Sequence, residues 1–211
     1  WHEFRVDMVI GHVPLPDTAV TAGPYVVEAT VEADEGVSAS LHWRAGADPY
    51  QELALAPAAG GGLTGAIPGQ ASGTTVSYYL EVRTDEGYRV TDPLTAPGTV
   101  HRFEVDAEAP VFAGLTQVLA EDGRVILGWD AASDPQTAVR YCVYRSETGV
   151  PAVPGDLLAT TGEVSYVDTA VTNGRTYTYW VQAVDAVGNG DDNPMVATAT
   201  PTTGTAATPT G

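Results

Sequence analysis

Thr176-Tyr177-Thr178-Tyr179-Trp180-Val181-Gln182-Ala183-Val184 is the stretch on which the fold turns. Its large side chains repeat every second residue, the period of a β-strand, and not every 3.6 residues. Tyr177, Tyr179 and Val181 then share an inward face and Trp180 points outward. Thr75 to Arg83 repeats the pattern, with Val76, Tyr78, Leu80 and Val82 inward. Two such strands, one in each half of the chain, predict two half-buried sheets systems and no helix.

Shorter strand signals surround both, each bounded by Gly, Pro, Asp or Asn. The first half carries them at Tyr25 to Val31, Val37 to Trp43, Gln51 to Leu55, Leu63 to Ile67, Tyr88 to Val90 and Val100 to Val105. In the second half they fall at Leu115 to Leu119, Gly123 to Trp129, Val139 to Arg145, Leu157 to Ala159, Val164 to Val167 and Val196 to Thr200. Seven short strands per half, at regular turn spacing, predict an all-β chain of two tandem sandwiches. The length of 211 residues is twice the roughly 100 residues of one sandwich. The expected division is residues 1–106, 107–201 and a Thr/Pro/Gly-rich tail at 202–211, with residues 1–9 as an upstream linker remnant. Asp106-Ala107-Glu108-Ala109-Pro110 is short and proline-stiffened at the boundary.

Residues 110–201 resemble a bacterial fibronectin type III domain. The residues that carry this are Leu127-Gly128-Trp129-Asp130, Tyr141-Cys142-Val143-Tyr144-Arg145-Ser146, Tyr166-Val167-Asp168-Thr169, Asn173-Gly174-Arg175-Thr176-Tyr177-Thr178-Tyr179 and Gln182 to Asn189. The resemblance implies that Trp129 is the core tryptophan and Tyr177 the corner tyrosine. The first half resembles the Ig-like module attached to secreted bacterial peptidases and other exported proteins. It does so through His12-Val13-Pro14-Leu15-Pro16-Asp17-Thr18, Gly23-Pro24-Tyr25, Ile67-Pro68-Gly69-Gln70 and Val76-Ser77-Tyr78-Tyr79-Leu80. Together they imply tandem Ig-like and fibronectin type III β-sandwiches that act as spacers, adhesive modules or accessories to a catalytic domain.

Net charge is -18, from 27 acidic residues against 9 basic ones, and every basic residue is Arg. Such a surface repels phosphate, which argues against nucleic acid and anionic membranes as partners. No run of about 18 apolar residues predicts membrane insertion. The chain opens at Trp1-His2-Glu3, so any targeting segment is expected upstream, and the setting is expected to be secreted or at the cell surface. One cysteine, Cys142, excludes an internal disulfide.

Nothing selects a catalytic group. Cys142 has no neighbouring His and lies mid-strand, on the outer face if Tyr141 and Val143 point inward. His2, His12, His42 and His101 lack helical zinc spacing, and His2 with His12 would bind metal only if strand pairing joined them. Two candidate sites remain. Asp106, Glu108, Asp130, Asp134, Asp185, Asn189 and Asp191, with Asp192 and Asn193, gather at one pole of a fibronectin type III topology. Their oxygens suit calcium, against the simpler reading of a solvated acidic rim. Trp180 and Tyr144, beside Cys142, would form an outward aromatic patch for another protein or, less directly, a sugar.

The function expected from the sequence is therefore a non-catalytic spacer, scaffold or adhesion pair in a larger exported protein. Its partners would be other domains of that protein or other surface proteins. One alternative is the accessory C-terminal region of a secreted hydrolase of peptidase type, with catalysis outside this chain. The other is a subunit of a surface layer or filament.

Overall fold

The computed structural model describes residues 8–33, 36–59 and 61–204. The chain divides into two compact units, with the break between Ala107 and Glu108. The first unit keeps Ala107 because its backbone N–H donates to Ser72 Oγ at 2.9 Å.

Among the described residues, nine strands build the first unit: β1 (Val9–His12), β2 (Tyr25–Glu32), β3 (Val37–Ala45), β4 (Gln51–Ala54), β5 (Ala56–Pro57), β6 (Leu63–Ile67), β7 (Thr74–Thr84), β8 (Arg89–Asp92) and β9 (His101–Val105). One sheet runs β1-β2-β6-β5 and the other β4-β3-β7-β8, with β9 also paired to β7. All these pairings are antiparallel. Strands β8 and β9 lie end to end along β7, since Leu80 faces Asp92 and Tyr78 faces His101. Val27, Leu41, Ile67, Tyr78, Phe103 and Val105 fill the core and are all at most 2% exposed.

The second unit contains β10 (Leu115–Glu121), β11 (Arg124–Trp129), β12 (Arg140–Ser146), β13 (Leu157–Thr161), β14 (Ser165–Asp168), β15 (Tyr177–Val184) and β16 (Val196–Ala199). Its sheets run β10-β11-β14 and β13-β12-β15-β16. The turn Asp122-Gly123 closes the β10–β11 hairpin, because Glu121 pairs with Arg124 and Gly123 adopts φ 66°. Only a residue without Cβ takes that backbone conformation freely. Trp129 is 4% exposed and Tyr177 2% exposed, both inside the core. The Tyr177 hydroxyl accepts the Thr172 N–H at 2.9 Å, the corner bond that the resemblance implied.

The observed strands depart from expectation in a few places. Val9 belongs to β1, so the segment 1–9 is not wholly a linker; residues 1–7 lie outside the described residues. The two-residue β5 has no alternation to announce it, being Ala56–Pro57. Of the tail, residues 205–211 also lie outside the described residues.

Candidate functional site

The acidic pole of the second unit is built from loops whose carboxylates turn back on the backbone. After β15, Asp185 Oδ1 accepts N–H bonds from Val187 at 3.0 Å, Gly188 at 2.6 Å and Asn189 at 2.7 Å. Its Oδ2 accepts from Asn189 Nδ2 at 2.6 Å. Asp191 does the same for the next turn: Oδ1 takes the Ala183 N–H at 2.5 Å and Oδ2 the Asn193 N–H at 2.8 Å. Asp134 Oδ1 takes the Gln136 and Thr137 N–H groups at 2.8 Å each, while Oδ2 carries no hydrogen bond. These are short polar side chains stabilising turns by replacing a backbone acceptor.

Asp134 and Asp185 are brought together, with carboxylate oxygens within 4.8 Å of one another. Asp130, Asp191 and Glu108 are placed differently. Asp130 is exposed just beyond β11. Asp191 is 5% exposed and spends its oxygens on Ala183 and Asn193. Glu108 contributes its backbone carbonyl, which accepts Asn189 Nδ2 at 3.2 Å. Asp106 belongs to the first unit, where its N–H donates to the Thr18 carbonyl at 2.9 Å.

The aromatic face requires a correction. Tyr144 and Trp180 are cross-strand partners on β12 and β15, and their rings stack at 5.2 Å with an interplanar angle of 28°. The expected outward patch fails at Tyr144, which is only 4% exposed. Trp180 is half-buried, and its Nε1–H donates to the Asn193 carbonyl at 2.9 Å. The loop before β16 therefore covers the tryptophan's edge. What faces outward in that register are the flanking residues Leu157, 47% exposed, and Val196, 40% exposed. Cys142 is half-buried, with Sγ 3.9 Å from Thr160 Oγ1. Burial, followed by the neighbouring Cys142, pushes the Tyr144 hydroxyl above its ordinary pKa.

A buried polar group that the sequence reading missed ties the two sheets of this unit. Asp168, 1% exposed at the end of β14, accepts from Arg145 Nη1 at 2.8 Å and from the Tyr179 hydroxyl at 2.9 Å, both on Oδ2. Burial, and then the Asp168 bond, raise the Tyr179 pKa strongly. Burial alone would lower the Arg145 guanidinium, but the Asp168 hydrogen bond and charge more than offset it. Arg145 also lies over the Tyr177 ring at 5.3 Å. The signal was present in the inward phase of Tyr179 and in an Arg on a core strand. The first unit has a counterpart in Glu81, 4% exposed, bonded to Arg83 and, at 3.0 Å, to Arg89. Every polar group of these two clusters is matched to a charge partner inside its own unit, as in structural ion pairs.

No family model matches the chain. Chitinase D of Niallia circulans is 40% identical over 77 residues, which is 36% of this chain and 13% of that protein. Exoglucanase B of Cellulomonas fimi is 28% identical over 204 residues, covering 85% of this chain and 18% of that protein. The chain thus spans less than a fifth of the length of these curated relatives. The solved fibronectin(III)-like modules of CbhA from Clostridium thermocellum superpose over 92% of this chain and 95% of theirs, with a TM-score of 0.55 at 18% identity. With its all-antiparallel sheets and two separate cores, the chain has the fold of tandem fibronectin type III-like modules.

Proposed function

We propose that this chain is a non-catalytic accessory pair within a larger extracellular protein that acts on polysaccharide. One observation carries the reading: the likeness to Exoglucanase B covers 85% of this chain but only 18% of that enzyme. A segment that recurs as a minor share of a long hydrolase, and folds into sandwiches whose buried Glu81 and Asp168 carboxylates are paired within their own units, is suited to spacing or positioning a neighbour. The named relatives, a chitinase and an exoglucanase, favour a carbohydrate-acting companion over the peptidase-type companion of the alternative reading. The partners are then other domains of the same polypeptide. The test is to incubate the 211-residue chain with chitin, pullulan and cellulose. Release of no reducing sugar is expected, and steady hydrolysis of any of them overturns the reading.

Calcium at the acidic pole is a second part of the proposal, favoured by the Asp134–Asp185 approach and the free Asp134 Oδ2. Millimolar calcium should raise the melting temperature over that in a chelator. Asp134→Asn should abolish the rise, and equal melting in calcium and chelator sinks this part alone.

A further inference from the structure

We propose that the first unit holds a zinc-type divalent cation between His12, His101 and Asp92. These residues come from the ends of three strands: His12 closes β1, Asp92 closes β8 and His101 opens β9. Strand register puts all three on inner faces. His12 pairs with buried Ala29, His101 with buried Tyr78, and Asp92 with buried Leu80. They meet where the edge strand of one sheet faces the β8–β9 junction of the other. One ring nitrogen of each histidine and one Asp92 oxygen lie within 4.8 Å of one another. The two imidazoles touch edge to face, with centroids 5.2 Å apart.

The chemistry of the three groups selects the ion. Two imidazoles and one carboxylate are a borderline-soft set that suits Zn²⁺, whereas calcium wants six or more oxygens. Zinc with bonds of about 2.0–2.2 Å places ligand atoms about 3.4 Å apart in a tetrahedron, so rotamer adjustments of about an ångström close the site. Water fills the fourth position. His12 is already oriented for this. Its Nδ1 lies 2.8 Å from the Glu28 carbonyl, an acceptor only, so Nδ1 bears the proton and Nε2 the lone pair. A backbone carbonyl that fixes a ligand's tautomer in this way is the usual support of a metal-bound histidine. Nε2 currently accepts from the buried Tyr78 hydroxyl at 2.9 Å, which in turn accepts the Leu15 N–H at 2.8 Å. His101 Nε2 sits 2.7 Å from Asp92 Oδ2. Metal entry replaces that hydrogen bond, with the single proton of the neutral His101 ring carried on Nδ1 so that the Nε2 lone pair is free for the ion. Access is open, because the side chains of His101 and Asp92 are 15% and 28% exposed. The bound ion would clip the edge strand β1 to the opposite sheet.

The experiment uses the full chain, stripped with chelator and titrated with ZnCl₂. At one equivalent, the imidazole proton resonances of His12 and His101 should shift while those of His42, stacked on Tyr79, stay in place. The melting temperature should rise in parallel. Asp92→Asn and the pair His12→Gln with His101→Gln should weaken zinc binding at least tenfold. His42→Gln and His2→Gln should leave it unchanged. Unmoved His12 and His101 resonances in the unmutated chain overturn the proposal, and this readout does not depend on whether the variants fold. So does zinc binding that survives the double substitution, or that disappears with His2→Gln.

Discussion

Asp168 joins charged, phenolic and backbone donors in one buried side chain. Its carboxylate meets Arg145, the Tyr179 hydroxyl and the Ala170 N–H, and it is 1% exposed. Asp168→Ala leaves Tyr179 without an acceptor and Arg145 without its counterion, a loss of about 3 kcal/mol in denaturant unfolding. Tyr177→Phe removes one corner bond and leaves the packed ring, so it should cost about 1 kcal/mol. Tyr78 adds a pH dependence. Burial, opposed by the Leu15 bond and reinforced by Asp92, pushes its hydroxyl from 10.0 up to about 12. Above about pH 10 the unfolded chain loses this proton while the folded chain keeps it. The contribution is full below pH 10 and lost by about pH 12, so melts of the first unit should fall across that window. Tyr78→Phe should flatten the fall, and an unchanged slope in that variant refutes the assignment.

Among the elements, alternation made the central strands legible. The phases of β7 and β15 give Tyr78, Leu80, Tyr179 and Val181 inward, and each of them is at most 1% exposed. Elements that carry no period escaped notice, such as β1 with His12 at its end and the two-residue β5. The same limit hid the histidine cluster. His101 is in phase with Phe103 and Val105 on β9, which marks it as inward, but its partners depend on how two sheets face each other. Period also fails to report coverage. Tyr144 does lie on the outer register row, yet neighbours bury it and leave Leu157 and Val196 as the accessible part. A contact surface on this row would be centred on Leu157 and Val196, and if the chain self-associates through it, Leu157→Asp with Val196→Asp should lower the mass read by light scattering while changing stability by under about 0.5 kcal/mol per site. Strand β6 gives the converse case of a buried position. A Cβ on Gly65 would stand 2.6 Å from Leu55 Cδ2 and 3.2 Å from Leu41 Cδ2. Leu55 is the flexible end of a side chain, so Gly65→Ala should be mild, while Gly65→Val should cost about 1–3 kcal/mol by overpacking.

For the molecule as a whole, the relevant quantity is charge. Each unit has its own core, so each has its own transition to report in a melting experiment. Net charge is -18, and 27 acidic residues outnumber 9 arginines threefold. Ion pairs at Glu81, Asp168, Glu121 and Glu147 occupy several of those arginines, and the arginines that remain are too few to neutralise the other carboxylates. Long-range repulsion of that kind favours the expanded unfolded chain. Salt screens it, because the Debye length falls from about 30 Å at 0.01 M to about 3 Å at 1 M. Salt also weakens the exposed pairs Arg124–Glu121 and Arg175–Glu147, but exposed pairs are worth at most about 1 kcal/mol each. The buried Arg145–Asp168 pair is screened much less, its carboxylate being 1% exposed. The balance predicts that sodium chloride raises the melting temperature, by about 4–8 °C for each 1 kcal/mol of repulsion removed from a unit of this size. Chloride and perchlorate salts of the same ionic strength should act alike at low concentration, which separates screening from effects on water structure. A melting temperature that falls steadily with added salt would show that attractive surface pairs outweigh the repulsion.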